Sequence, residues 1–146
     1  MGSVCVRHNR LAICVAAGTG VFLLAIWYTL FLDVWLKGIG RDRAWLAGDG
    51  VRQLLQCATA LLAAVLLATC LSVFTQLTGP QTAARGMKLA AALWLGCILP
   101  AGAVENVFEM RSYALFSLNM GFWLLALLAM GAIVGAWKKK EAENRR

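Results

Sequence analysis

The chain has 146 residues, of which 61% are hydrophobic and 14% charged, and it carries a formal net charge of +7. Soluble domains contain about 25% charged residues, so this composition excludes an ordinary water-soluble domain. Asp, Glu, Lys and Arg are absent from four long stretches, 11–32, 53–84, 89–104 and 112–137. A hydrocarbon core about 30 Å thick takes roughly 20 apolar residues in a helix, a length that the first, second and fourth stretches reach and the third approaches. Apolar runs without alternation predict helices rather than barrel strands, because lipid offers no water to unpaired backbone groups. The expected fold is all-α, an integral membrane four-helix bundle in one domain over 1–146, with helices at about 11–33, 53–77, 87–109 and 113–137. Such spans leave no room for a separate water-soluble catalytic or ligand-binding domain.

In chain order, Arg7 and Arg10 precede the first apolar run in the manner of a signal peptide. A signal core is about 7 to 15 residues long, however, whereas this run is of span length and closes on Trp27, Tyr28, Phe31 and Trp35, so an uncleaved first helix is expected. Segment 34–49 mixes Val34, Trp35, Leu36, Ile39, Trp45 and Leu46 with Lys37, Arg41, Asp42 and Arg43, and Gly38, Gly40 and Gly48 interrupt it. It reads as a short structure lying in the outer interface. In the third helix, Pro100 removes a backbone donor and is expected to kink it, between Gly96 and Gly102. Small residues recur at four-residue spacing as Ala12, Ala16 and Gly20, as Ala60, Ala64 and Ala68, and as Gly131 and Gly135, ridges that let helices approach closely in lipid. The chain closes on a basic tail, 138–146.

Positive charge sets the expected orientation. Arg7, Arg10, Arg85, Lys88, Lys138, Lys139, Lys140, Arg145 and Arg146 fall on the side of the termini, against Lys37, Arg41, Arg43, Arg52 and Arg111 on the other. The positive-inside bias places both termini and the middle loop in the cytoplasm, which for a bacterial chain means a multi-pass protein of the inner membrane. The partner implied by the basic excess is the lipid bilayer itself, not a nucleic acid, since the basic segments lack stacking aromatics.

No catalytic constellation is present: there is no phosphate-binding glycine loop, nucleophile elbow or metal cluster, and His8 stands alone. Neither a cofactor nor a metal is expected. Cys5, Cys14, Cys57, Cys70 and Cys97 form no Cys-x-x-Cys pair, and they read as small, inert, well-packed hydrophobes. Trp27, Tyr28, Trp35, Trp45 and Tyr113, with Trp137 at the opposite edge, fit an interfacial aromatic belt, with an aromatic ligand cage as the alternative.

The candidate polar cluster is Glu105, Asn106, Glu109 and Arg111 at the outer end of the third helix, with Asn119 below the surface on the fourth and Asp33 at the end of the first. Ionisable groups within a membrane suggest a relay or a polar ligand pocket. The structural alternative pairs Glu109 with Arg111 and has Asn119 bond across helices.

Residues 25–35, AIWYTLFLDVW, and 106–137, NVFEMRSYALFSLNMGFWLLALLAMGAIVGAW, resemble a bacterial family of small four-helix membrane proteins known as a domain of unknown function, number 1761. The family pattern has a Trp-Tyr pair near the end of the first helix and a Phe and a Trp soon after. A phenylalanine-acid-x-arginine segment then leads into a last helix with an early Asn, a Met-Gly and a closing Trp. Trp27, Tyr28, Phe31, Trp35, Phe108, Glu109, Arg111, Asn119, Met130, Gly131 and Trp137 occupy those places, whereas the second helix and middle loop agree only in hydrophobic pattern. The resemblance implies the four-helix topology and links Glu109, Arg111 and Asn119 as one feature; it brings no activity or substrate with it.

The function expected from these readings is that of a non-enzymatic accessory or assembly subunit acting through helix contacts, either with a second copy or with a partner membrane subunit. The alternatives are a small oligomeric transporter or channel with an outer polar path, and a membrane enzyme using the carboxylates on a lipid substrate.

Overall fold

The computed structural model describes residues 9–47 and 50–137. The N-terminal residues with Cys5, Arg7 and His8, loop residues 48–49 and the basic tail 138–146 lie outside them. The described residues are helical, without strands: α1 (Arg10–Leu30), α2 (Leu32–Gly38), a 3₁₀ turn (Arg43–Ala47), α3 (Gly50–Leu77), α4 (Ala83–Leu93), a π turn (Trp94–Ile98), α5 (Leu99–Phe108) and α6 (Tyr113–Ala136). Four helices are long and apolar enough to cross a membrane: α1, α3, α6 and the continuous run Ala83–Phe108 that joins α4 to α5.

Local chemistry sets the ends of these helices. Side-chain oxygens of Asn9, Thr82 and Ser112 accept the backbone N–H groups of Ala12, Arg85 and Leu115, capping α1, α4 and α6. After α2, Gly40 at φ 67° lets Gly40 N donate to the Lys37 carbonyl and Arg41 N to that of Leu36, the paired bonds that close a helix through a left-handed residue. The same closure ends α5, but there Met110 takes the left-handed position at φ 52°, with Met110 N donating to Val107 and Arg111 N to Asn106. The irregularity expected at Pro100 falls just before it: Leu99 N reaches back five residues to the Trp94 carbonyl. A widened turn accommodates a proline that lacks an N–H and whose ring crowds the carbonyl four residues earlier.

Helix α6 is the centre of the packing. Half of its membrane-length window is buried, against 6% for the α4–α5 run. The tightest crossing is between α4 and α6, where Gly86 lies on Gly131 and Gly135; a Cβ at Gly86 would collide with the Gly131 carbonyl, and one at Gly135 with the Thr82 carbonyl. Ala16, Ala17, Ala64, Ala68, Leu71, Ala90, Leu127, Met130 and Val134 form the core where α1, α3, α4 and α6 meet. Gly20 sits at that junction, its absent Cβ 3.0 Å from Met130 Sδ and 3.7 Å from Ala64. Buried Thr75 satisfies itself by donating to the Leu71 carbonyl at 2.6 Å.

The remaining surface is rich in Leu, Val, Ile and Phe, including Phe22, Leu30, Leu54, Leu62, Leu95 and Phe108. Cys14, Cys57, Cys70 and Cys97 are free and exposed on it rather than packed inside, because their positions fall on helix faces turned away from the common core.

Two contrasts test this packing by unfolding in detergent. Gly86→Ala is expected to destabilise by about 1–3 kcal/mol, since overpacking forces helices apart, whereas Gly96→Ala, with nothing within 4 Å of its Cβ, should gain about 0.5–1 kcal/mol in helix preference. Met110→Gly should raise the unfolding midpoint, because a left-handed non-glycine residue costs about 1–2 kcal/mol and this fully exposed side chain makes no packing contact worth keeping.

Candidate functional site

A cavity of about 630 Å³ lies between α1, α3 and α6. Gly20, Val21 and Leu24 line it from α1, Ala60, Ala63, Ala64 and Leu67 from α3, and Phe122, Trp123, Ala126 and Met130 from α6. Its polar groups gather at one end, where Tyr28, Trp35, Arg52, Gln56 and Thr59 join the lining. Leu55 lines it too while 62% exposed, so the cavity opens to the surroundings along α3.

The polar end is built by the segment between α1 and α3. Asp33 on α2 pairs with Arg43 through a two-pronged contact, Arg43 Nη2 donating to Oδ1 at 2.8 Å and to Oδ2 at 3.0 Å. The pair is well exposed, so it orients the turn more than it stabilises the fold. Asp42 Oδ1 accepts from Trp45 N at 3.1 Å and starts the 3₁₀ turn. That turn is then fastened to α3: Arg52 Nη2 donates to the Trp45 carbonyl at 2.7 Å and Gln53 Nε2 to that of Leu46 at 3.1 Å.

Trp45 receives cations on its ring, with the Arg52 guanidinium carbon 3.8 Å and that of Arg41 5.8 Å from the centroid. Such stacking is worth about 0.5–1 kcal/mol when exposed and more when desolvated. Trp45 in turn contacts Trp35 at 6.1 Å between centroids, Trp35 meets the edge of Tyr28 at 5.9 Å, and Tyr28 lies 5.6 Å from Phe122. An aromatic chain therefore runs from the loop down to α6. At its foot the Tyr28 hydroxyl donates to Asn119 Oδ1 at 2.9 Å, joining α1 to α6.

The residues of the expected polar cluster separate. Asp33 goes to Arg43, and Glu109 forms an ion pair with Arg111 on the loop before α6. Asn106 is buried at the end of α5, where its carbonyl closes the helix, and Glu105 is exposed. No hydrogen bond or ion pair among the described residues links Glu105, Glu109 or Arg111 to Asn119, whose partner is Tyr28. The aromatics divide similarly. Tyr28 and Trp35 turn to the cavity, and Trp45 bridges arginines. Trp27 packs over Gly121 with a buried Nε1 that has no partner, Tyr113 is exposed, and Trp137 closes α6. No group of three or more His, Cys, Asp or Glu that could hold a metal occurs among the described residues.

By sequence, Arg52 counts only as a positive charge on the outer side, just ahead of the helix expected from about residue 53. The signal that places it at the cavity is its spacing to Gln56 and Thr59, four and seven residues on, which sets all three on one face of α3. The helix begins at Gly50, earlier than the apolar run alone suggests, and so includes that arginine.

No curated protein and no solved structure matches the chain significantly. The model of a family described as "protein of unknown function (DUF1761)" matches residues 11–135, nearly the whole described structure, and the chain belongs to that family.

Proposed function

We propose that the chain is a multi-pass protein of the bacterial inner membrane, with both termini cytoplasmic, and that it acts without catalysis as an accessory or assembly subunit through contacts of its helices. Four helices of spanning length and an outer surface dominated by large apolar side chains support the membrane placement. The excess of Lys and Arg beside the termini and in the middle loop supports the orientation.

The observation that carries the role is the state of the α4–α5 run. Between Ala90 and Asn106 none of its residues is buried, although Gly86 and Ala90 pack closely on α6. The uncovered part presents Ala92, Gly96, Pro100 and Ala101 outward, and nothing lies within 4 Å of a Cβ built on Gly96. Lipid and leucine are equally apolar, so helices associate in a membrane through close backbone approach, and outward small residues are suited to it. The other small-residue ridges, on α1, α3 and α6, are already used inside the molecule. A conduction path finds less support, because the glutamates sit exposed at a helix end and the Asn119 side chain is engaged by Tyr28.

Native mass spectrometry of the protein released gently from its own membranes tests the role. A stable complex with a second kind of subunit is expected, and Gly96→Leu should dissociate it without lowering the unfolding midpoint of the isolated chain. A monomer alone, or a complex indifferent to Gly96→Leu, would remove the basis of the reading. Orientation has its own measurement: a reporter fused after residue 146 should be active if it folds in the cytoplasm and inactive if it requires export, and the reverse pattern would invert the topology.

A further inference from the structure

We infer that the cavity between α1, α3 and α6 binds one anionic phospholipid, with an acyl chain laid along α3 and the headgroup anion at Arg52. The inference rests on the membrane placement above and is independent of the accessory role.

Shape limits the occupant. On α3 the lining runs from Arg52 to Leu67, about 22 Å at 1.5 Å per residue, more than the roughly 15 Å of hydrocarbon in one leaflet. The space is thus long enough for a whole acyl chain. Its lower walls are alanine, leucine, phenylalanine and methionine, and it opens to the side past Leu55, the route by which a lipid would enter.

Charge then selects the headgroup. Arg52 stands at the mouth with its guanidinium on Trp45, and among the described residues it has no carboxylate partner. Its Nη2 is held by the Trp45 carbonyl, which fixes the guanidinium while the residue still lines the cavity. Arginine donors in a fixed planar fork match phosphate oxygens. Gln56 and Thr59, one and two turns below on the same face, offer an amide and a hydroxyl at the depth of the ester groups. Tyr28 is already committed to Asn119, so the cation and not the phenol determines preference.

The test uses the purified full chain in mild detergent, titrated with phosphatidylglycerol or phosphatidylcholine of identical acyl chains and read by native mass spectrometry and thermal unfolding. Phosphatidylglycerol should bind about fivefold more tightly, the value of one well-placed cation near an anionic headgroup. Arg52→Gln should abolish that preference, so that the variant binds the two lipids equally, and Arg52→Lys should restore most of it. Ala63→Phe, which fills the cavity, should weaken both lipids. Equal binding of the two lipids by the natural chain, a preference that survives Arg52→Gln, or protection by inorganic phosphate equal to that by phosphatidylglycerol would each overturn the proposal. The comparison of lipids on the unaltered chain decides the matter even if a variant fails to fold. Failure of the assembly experiment or inverted topology reporters would leave it untouched, since neither removes the membrane placement on which it rests.

Discussion

Direct backbone contact between α4 and α6 is the constraint on which the rest of the packing depends. Gly86 meets Gly131 and Gly135 so closely that no side-chain atom fits between them. In an apolar solvent there is little hydrophobic gain from pressing two helices together, so dispersion at short range has to supply the attraction. Three glycines at one crossing provide it, and Ala90, stacked one turn beyond Gly86, continues the contact into the common core. With α6 held there, its other faces are free to receive α1 at Gly20 and Met130 and α3 through Ala64.

The cavity exists because the small-residue contacts stop. At the level of Gly20, Ala64 and Met130 the three helices touch, and beyond it α1 carries Leu24 and Tyr28 while α3 carries Ala60, Thr59 and Gln56. These side chains do not fill the space between them. What holds the open end apart is the α2 segment and its 3₁₀ turn, fastened to α3 by Arg52 and Gln53 and braced by the line of rings from Trp45 to Phe122. A rigid, half-polar mouth over an apolar interior is the arrangement that an amphiphile requires. The lipid proposal and the accessory proposal therefore draw on different surfaces, the first on the interior between α1 and α3 and the second on the outward side of α4 and α5.

Polar groups elsewhere serve geometry. Glu109 and Arg111 pair across the turn that Met110 bends, and Tyr28 spends its hydroxyl on Asn119. The resemblance that linked Glu109, Arg111 and Asn119 concerns one stretch of chain, the turn into α6 and its first turns, more than one shared site. Within it, each residue stabilises a different local relation: the ion pair fixes the turn, and the amide fixes α1 against α6.

Charge spacing and hydrophobic run length were enough, by themselves, to determine that the chain is all-helical with four segments of membrane-spanning length. Both are local properties, and the solvent demanded by an unbroken apolar helix follows from its own backbone. The ridges Ala16–Gly20, Ala64–Ala68 and Gly131–Gly135 were likewise legible, since four-residue spacing places them on one helix face. What periodicity does not carry is which ridge meets which. Only the tertiary structure made Gly86 the counterpart of Gly131 and Gly135, left the similar small residues around Gly96 without a partner, and drew Arg52 into α3 at the mouth of a cavity. Those outcomes depend on the relative rotation and depth of separate helices, which a single chain's pattern does not encode until the helices have packed.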